Sequence, residues 1–460
     1  MDACAELEKY AQEIASTTNH AIALLKQASP GALSSSSNSF PAHLDIRGGD
    51  VPRDLCRARK HILSSLKRFQ IYLTQPADFI QQIAGQGQIL ACLRWLGDFQ
   101  VLACIPLGES VSIKDIADLT GVSEAQLSRI VRITALAGFL REPMPGAISH
   151  TALSARFVTQ YSFLDAAMFL AETGVPIALQ TSAATRLQGR LGRDVEVPTS
   201  YSVAFNTSQA FPLAHEQSKK LQRQWPAFSR CLIDAEEQFT ETLSQLDWVR
   251  IGDALIVHVC ACSSEVAVAL AQLSPTLQFI VQMQEPMYTD GKVIKVGRPN
   301  SPQKIECYNM DRLDPKISIQ KRAPGSPQAV RDAMVYMFRL PTDELGLFSC
   351  PEASSSLILP ELWAHMGILK ANRAATFVLV AQLLPEPGSV DSDVEEAAHL
   401  RDLWKTQLMN GHEMKVDELT EMISSVKDGL GELVVVNKLQ PRSSATVAFE
   451  IKYQDYHIAA

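Results

Sequence analysis

The chain has 460 residues, of which 46% are hydrophobic, and a formal net charge of -8 at pH 7. This length predicts two or three domains, and the apolar content is sufficient for sizeable cores. The acidic balance argues against strong nucleic-acid binding by the chain as a whole.

The nine cysteines show no pairing pattern, which favours a reducing compartment. The N-terminus carries no positively charged leader followed by an apolar stretch, so we expect no secretory signal. Uninterrupted apolar runs stay well below the roughly 20 residues that a membrane span needs. We therefore expect no membrane segment.

The first 74 residues predict two helices joined by a linker. Residues 7–27 show the apolar spacing of a helix. Residues 29–52 contain prolines, glycines and four consecutive serines, a composition typical of a flexible linker. Residues 53–74 predict a second helix rich in arginine and lysine. Its basic side is either a solvated face or a dimerising or docking surface.

The next region predicts a winged helix. Ser112 is placed to cap a short helix, and Ser123 opens a second one with a capping box to Gln126. Gly138 is a typical left-handed terminator for that second helix. Two short strands after it form the wing.

A helix-turn-helix suggests DNA binding, with Gln126, Arg129 and Arg132 facing the groove. Reading bases requires more basic, phosphate-contacting residues around the helix than this one carries. We therefore expect no direct sequence-specific DNA binding.

The C-terminal half opens with a Rossmann-like pattern. A strand at residues 255–259 runs through a tight turn into a helix at residues 266–273. Glycines usually form this turn because they let the backbone approach a nucleotide closely. Here the turn contains no glycine, and its residues are Cys260, Ala261, Cys262, Ser263 and Ser264.

Together with its neighbours, this segment resembles fungal O-methyltransferases that use S-adenosylmethionine (SAM). In that family the loop reads Asp-Val-Gly-Gly-Gly-x-Gly. The aspartate aligns with His258, and the glycines align with Cys260, Ala261, Cys262 and Ser264. The acidic residue that holds the ribose at the end of the second strand aligns with Met283. Glu285, two positions on, is a candidate replacement.

The catalytic positions of the family are replaced as well. The histidine that acts as general base aligns with Phe338, which has no proton acceptor. The acidic residue that orients the histidine aligns with Ala381, before a Leu-Pro-Glu-Pro-Gly segment that matches the family. Loop, ribose acid, base and orienting acid are therefore all replaced together.

No other residue offers a convincing replacement. His258, His365 and His412 belong to no visible constellation, so a structural role is favoured for each. Cys260 and Cys262 lack a second pair and are a weak metal signal, so small residues filling a vacated pocket are favoured. We therefore predict no catalytic, cofactor-binding or metal-binding residues, and no cofactor.

The resemblance implies a mixed α and α/β fold, with an N-terminal helical and winged-helix dimerisation region followed by a Rossmann-like SAM-methyltransferase fold. Residues 299–327 depart from the family pattern and predict a surface loop or an altered substrate wall. The predicted domains are an N-terminal helix (1–28), a flexible linker (29–52), a helical and winged-helix dimerisation domain (53–158), a helical connector (159–246) and a degenerate methyltransferase domain (247–460).

One branch of the family combines these losses. It contains methyltransferase-like co-activators of the aflatoxin-pathway type, encoded in fungal aromatic-polyketide clusters. The resemblance implies a homodimer that binds the pathway-specific zinc binuclear cluster transcription factor, in the nucleus and cytoplasm. A candidate acidic contact comprises Asp391, Asp393, Glu395 and Glu396.

Two alternatives remain open. One is an active SAM-dependent O-methyltransferase acting on a polyketide phenol. The other is a non-catalytic subunit that tunes an active methyltransferase.

Overall fold

The computed structural model describes nine stretches of the chain and divides it into two compact units. The first unit ends at Val175 and the second begins at Pro176. This division falls inside the predicted connector, residues 159–246, and the predicted domain boundaries stay predictions. The described residues are 3–28, 53–189, 197–232, 235–261, 263–284, 287–289, 292–294, 315–340 and 351–456. The predicted linker, residues 29–52, therefore lies outside them.

The first unit contains eight α-helices, one short π-helix (Leu170–Gly174) and a small three-stranded sheet in its described part. The helices are α1 (Ala3–Ala28), α2 (Arg53–Leu73), α3 (Pro76–Asp98), α4 (Val101–Cys104), α5 (Ile113–Thr120), α6 (Glu124–Leu136), α7 (Ala152–Thr159) and α8 (Tyr161–Phe169). The strands are β1 (Val111–Ser112), β2 (Leu140–Arg141) and β3 (Ala147–His150), with β3 in the middle and antiparallel to both. This arrangement confirms the predicted winged helix.

Local capping explains where the winged-helix elements begin and end. The Ser112 hydroxyl accepts a hydrogen bond from the Lys114 amide at 3.2 Å, which confirms the predicted cap of α5. Gly138 has a φ of +74°, as expected for a left-handed terminator. The predicted capping box at Ser123 is wrong, because its side chain makes no capping hydrogen bond. The Gln126 amide bonds the Ser123 carbonyl instead, at 3.1 Å.

Helices α1 and α2 form a hairpin. Ala21, Leu55 and Ala58 are buried between them. Glu13 adds a polar contact, because its carboxylate accepts a hydrogen bond from the Ser65 hydroxyl at 3.0 Å. The helix predicted at residues 7–27 from apolar spacing and the basic helix predicted at residues 53–74 are both confirmed.

The second unit is built around a large sheet with helices on both faces. Its described helices are α9 (Val175–Leu179), α10 (Thr181–Gln188), α11 (Ser200–Phe205), α12 (Phe211–Gln217), α13 (Lys219–Leu232), α14 (Ala235–Ser244), α15 (Trp248–Ile251), α16 (Glu265–Leu273), α17 (Pro351–Ala371), α18 (Ser392–Met409) and α19 (Val416–Ser424). Its strands are β4 (Leu255–Ala261), β5 (Gln278–Gln284), β6 (Met287–Thr289), β7 (Lys292–Ile294), β8 (Ile317–Arg322), β9 (Val335–Arg339), β10 (Thr376–Gln382), β11 (Gly431–Leu439) and β12 (Thr446–Asp455).

Seven of these strands form one sheet in the order β11-β12-β10-β9-β4-β5-β8. Only β12 runs antiparallel to its neighbours β10 and β11, and the other pairings are parallel. Parallel strands covered on both faces are expected to be predominantly apolar, as β4, β9 and β10 are. One core lies between the sheet and α17 with α19, and the other lies on the α16 face. The predicted Rossmann-like fold is confirmed.

Of the two alternatives for residues 299–327, the surface loop is wrong for residues 317–322, and the altered substrate wall stays a prediction. Residues 317–322 form strand β8 at the edge of the sheet, where hydrogen bonding to β5 outweighs the polar composition. Both Ile317 and Arg322 are buried there rather than on a surface loop. Residues 299–314 lie outside the described part of the chain.

The helical stretch Tyr161–Gln188 is long and apolar enough, by length and composition, to cross a membrane. Core helices of soluble proteins pass the same test. The expectation of no membrane segment stays a prediction.

Candidate functional site at the carboxyl edge of the sheet

Doubly wound sheets bind ligands at the carboxyl ends of their parallel strands, so the end of β4 belongs to the candidate site. The predicted tight turn after Val259 is wrong in detail, because the strand continues through a bulge to Ala261. Cys260 has a φ of +53°, in the left-handed region that favours glycine. A side chain in this conformation costs about 1–2 kcal/mol. The chain therefore has a glycine-type backbone here without the glycine.

The Cys260 side chain contacts a buried ion pair. Its thiol lies 3.1 Å from a carboxylate oxygen of Glu361, a fully buried residue of α17. Arg322, the last residue of β8, donates hydrogen bonds from Nη1 to both Glu361 oxygens, at 3.0 and 2.9 Å. The Gly325 amide donates to the same carboxylate. A buried carboxylate that accepts from an arginine nitrogen on both oxygens and from a backbone amide is well compensated.

His365, one helical turn after Glu361, extends these contacts toward β5. Its Nδ1 lies 2.7 Å from the Glu361 carbonyl oxygen, and its Nε2 lies 3.1 Å from Nε2 of Gln328. Gln328 and Gln282 exchange two amide hydrogen bonds, each of 2.8 Å. Strands β4, β5 and β8 and helix α17 are thus connected by polar side chains.

We call this buried group the edge network. Its members are Cys260, Gln282, Arg322, Gln328, Glu361 and His365. The sequence analysis missed it and placed His365 outside any constellation. The available signal was Glu361 and His365, a titratable pair four residues apart within a largely apolar part of helix α17.

Burial lowers the pKa values of the two histidines near this edge, His258 and His365. It lowers the pKa of His365 to about 4, and the neighbouring Glu361 offsets only part of that effect. Burial, together with the positive charge of Arg339, lowers the pKa of His258 to about 4. No described residue hydrogen-bonds Nδ1 of His258. Both rings are neutral at pH 7 and too weakly basic for effective general-base catalysis there.

The positions aligned with the family's catalytic residues are filled by apolar side chains. Phe338 lies within β9, paired with Val259 and Leu379 of the adjacent strands, and is buried. Its ring centroid lies 6.4 Å from that of Phe377. Ala381 is buried in β10. These residues supply packing and no proton acceptor.

A small cavity lies at the carboxyl ends of β9 and β10. Its volume is about 10 Å³, which is room for about one water molecule. The lining residues are Phe239, Arg339, Leu340, Val380, Ala381, Gln382 and Thr446. Typical ligand pockets are more than tenfold larger.

The described residues of this edge do not fit SAM in the way the resemblance implies. Met283, the penultimate residue of β5, lies where the ribose-binding acid is expected, and Cys260 adds a side chain where the loop needs a bare backbone. Glu285 and Cys262 lie outside the described residues, as do residues 341–350, which follow β9. Within the described part of the chain, no three His, Cys, Asp or Glu side chains are grouped to hold a metal ion.

The remaining candidate residues lie elsewhere. His412 is exposed, and its Nε2 lies 3.1 Å from the Glu418 carboxylate. The acidic run of Asp391, Asp393, Glu395 and Glu396 lies at the start of α18, where negative charges interact favourably with the helix dipole. Glu395 there accepts a hydrogen bond from the Gly388 amide. Of the three residues that a DNA-binding helix would point into the groove, Arg132 lies 3.7 Å from Glu142.

Solved structures of methyltransferase-like proteins share this fold. The structure of LepI in complex with SAM matches with a TM-score of 0.56 and 15% identity, covering 95% of this chain and 100% of that one. The mitomycin 7-O-methyltransferase MmcR matches with a TM-score of 0.51 and 16% identity, covering 82% of this chain and 98% of that one. At these identities the likeness supports the fold alone.

Curated relatives are much more similar in sequence. A transcriptional coactivator of Pseudocercospora fijiensis is 47% identical over 80% of this chain and 97% of its own length. The monodictyphenone cluster coactivator of Emericella nidulans is 39% identical over 99% and 100%. The trypacidin cluster coactivator of Aspergillus fumigatus is 40% identical over 99% and 98%. No protein-family profile matches the chain. The chain therefore belongs to the family of methyltransferase-like transcriptional coactivators of polyketide gene clusters.

Proposed function

We propose that this chain is a non-catalytic coactivator of a fungal aromatic-polyketide gene cluster, and that it acts by binding the pathway-specific zinc binuclear cluster transcription factor. The observation that supports a non-catalytic role is the edge network. An enzyme of this fold needs an open carboxyl edge for its cofactor, whereas here a buried ion pair and a thiol join the strand ends to α17.

The network also stabilises the fold without a ligand. Removing one partner of a buried ion pair leaves an uncompensated charge, so Arg322 and Glu361 hold each other in place. They connect β8, at the edge of the sheet, to a helix that covers its face. In this proposal the methyltransferase scaffold provides a stable surface for a partner, and its former reaction edge serves packing.

Charge supports the choice of partner. The chain is acidic, with a net charge of -8, and DNA-binding factors are basic where they contact phosphate. The proposal includes a homodimer in the nucleus and cytoplasm, without a membrane segment and without sequence-specific DNA contacts of its own.

The test combines capture with a reporter. The full chain is co-expressed with the zinc-cluster factor encoded beside it, one partner is tagged, and transcription from a promoter of the same cluster is measured. We expect stoichiometric capture and increased transcription only when both proteins are present. No capture and no increase would overturn the proposal.

The same preparation discriminates the open alternatives. Incubation with labelled SAM and polyketide phenols tests for a methylated product, which would establish the active methyltransferase. Addition of the chain to an active methyltransferase of the cluster tests whether the chain is a subunit that tunes that enzyme, through a change in the enzyme's kcat/KM. We expect neither result.

A further inference from the structure

The first half of helix α3 carries large apolar side chains on an exposed face. Phe79 and Ile83 are exposed by 56% and 50%, whereas Leu96, near the end of the helix, is buried in the winged-helix core. Large apolar side chains on one side of a regular helix normally pack against another element. Within the described part of the chain, no element covers Phe79 and Ile83.

These exposed residues belong to a regular contact pattern that ends in a groove. Phe79, Ile83, Gln86, Leu90 and Leu93 follow one another at spacings of four, three, four and three residues, which are those of the contact positions in a two-helix coiled coil. At 3.6 residues per turn, the five positions lie within an arc of about 80°. Toward the end of the pattern, an open and mainly apolar groove of about 480 Å³ is lined by Gln82, Gly85, Gln86, Ile89, Leu90, Leu93 and Ala137.

Gly85 leaves space in this groove. A Cβ atom at Gly85 would meet no atom of a neighbouring element within 4 Å, and Gly85 does not have a positive φ. Neither packing nor backbone conformation within the described chain therefore requires a glycine here. A glycine inside a helix costs about 1 kcal/mol relative to alanine. The close approach of a second helix is a physical reason for this residue.

The same face favours a second copy of the chain as its occupant. From Phe79 to Leu93 the sequence carries no charged residue, so the face has no charge with which to select an acidic or basic partner or a nucleic acid. It is complementary to itself, because large side chains lie at its start and the groove lies at its end. Phe79 and Leu93 are each seven residues from Gln86. A two-fold axis at Gln86 therefore places Phe79 of each copy at the groove of the other.

We propose that α3 forms a homodimer interface in which two copies pack antiparallel and cross at Gln86, with Phe79 and Ile83 of each copy in the groove of the other. The groove has the volume of sites that hold drug-sized molecules, so it has room for two side chains. The Gln86 amides can exchange hydrogen bonds across the axis, and one polar contact position fixes the register of a helix pair. This homodimer is the one included in the proposed function, on which the proposal rests, and α3 gives it a surface and an orientation.

The first test is the oligomeric state of the full chain, measured by sedimentation velocity over a range of micromolar concentrations. One variant is Phe79→Gln with Ile83→Gln, which removes the side chains that enter the groove. Another is Gly85→Gln, which fills the groove and favours the helix. The matched controls are Leu119→Gln, at a position 69% exposed in α5, and Gly367→Gln, at an exposed glycine of α17 where a Cβ atom would also meet nothing within 4 Å.

We expect the parent to be a dimer and both α3 variants to raise the dissociation constant by more than about tenfold, while the controls dissociate as the parent does. Raising the salt from about 50 to 300 mM should change the constant by less than about twofold, because the face is uncharged. A monomeric parent would overturn the inference, and so would a dimer that both α3 variants leave intact. A monomer that uses this face only to bind lipid vesicles or the zinc-cluster factor would also overturn it, because the occupant would then be different.

Cysteine crosslinking tests the orientation. In the antiparallel pair the two Gln86 residues meet at the axis, whereas each Gln82 is level with Leu90 of the other copy, about 12 Å along the helices from the second Gln82. A disulfide needs Cα atoms within about 7 Å of each other. We therefore expect oxidation to crosslink Gln86→Cys faster than Gln82→Cys, with the parent as background. Equal crosslinking of the two variants would indicate parallel packing and overturn the antiparallel interface.

Capture of the zinc-cluster factor separates this interface from the proposed function. A parent that dimerises through α3 but captures no factor would leave the interface standing and overturn coactivation through the factor. A parent that captures the factor as a monomer would overturn the interface and leave coactivation through the factor standing.

Discussion

The interior of the large sheet is packed with apolar side chains, whereas its carboxyl edge contains a buried polar network. In the interior, Val257, Tyr336 and Leu379 pack with other apolar residues between the sheet and α17, and the fold is shared with a solved methyltransferase structure. At the edge, Cys260, Glu361 and Arg322 form a buried polar contact at the position where the resemblance implies a glycine loop. The two regions are adjacent in the same strands.

This difference separates what specifies the fold from what performs chemistry. Apolar packing along β4, β9 and β10 is distributed over many side chains, so the loss of a catalytic residue at a strand end leaves it unaffected. The edge depends on a few residues, each of which contacts a specific partner, so a substitution of one of them readily changes the chemistry of the edge. It also responds sharply to single substitutions.

The largest expected effect comes from breaking the buried ion pair. Glu361→Ala leaves the Arg322 guanidinium buried without its carboxylate, which should lower the free energy of unfolding by about 3–5 kcal/mol. Urea denaturation followed by circular dichroism measures it. The matched control is Glu361→Leu combined with Arg322→Met, which replaces both charges and should recover most of the loss. A loss below about 1 kcal/mol in Glu361→Ala would mean that the edge is not held by this pair.

The second effect is a dependence of stability on pH. His258 and His365 have pKa values of about 4 in the folded chain, against about 6.5 when unfolded. As the pH falls below about 6.5, the unfolded chain takes up protons that the folded chain does not, so stability decreases toward pH 4. Between pH 7 and pH 5 we expect a decrease of about 2–4 kcal/mol, measured by urea denaturation at each pH.

Two variants sharpen this test. His365→Gln should remove a clear part of the decrease, because one of the two rings with a pKa of about 4 is gone; buried His150 and His215, whose pKa values are also lowered by burial, keep their contribution. His412→Asn is the matched comparison, because that ring is exposed rather than buried. A stability that is flat from pH 7 to pH 5 would contradict the burial of the two neutral rings.

The sequence predicted the interior much better than the edge. Periodic apolar runs and capping residues identified the winged helix and the strands β4 and β10, because such signals are local in the chain. The edge network joins Cys260, Arg322 and Glu361, which lie far apart in sequence and meet only through the sheet topology. The lost glycines were visible in the sequence, but the contacts that replaced them were not.

The smallest effect concerns the backbone at Cys260. Cys260 has a φ of +53°, which strains the backbone of any residue with a side chain. Cys260→Ala keeps this strain and loses the thiol contact with Glu361, whereas Cys260→Gly relieves the strain. We expect the glycine variant to be more stable than the alanine variant by about 1 kcal/mol in chemical denaturation. An alanine variant that is the more stable of the two would show that Cys260 is not in the left-handed region.

The most direct test of the central claim is a titration of the purified full chain with SAM by isothermal calorimetry. An O-methyltransferase with an intact glycine loop serves as the positive control. The account predicts no binding heat at about 1 mM SAM, an affinity weaker than about -4 kcal/mol. Saturable binding with a micromolar Kd would contradict it, because the carboxyl edge would then still accept the cofactor despite Cys260 and the edge network.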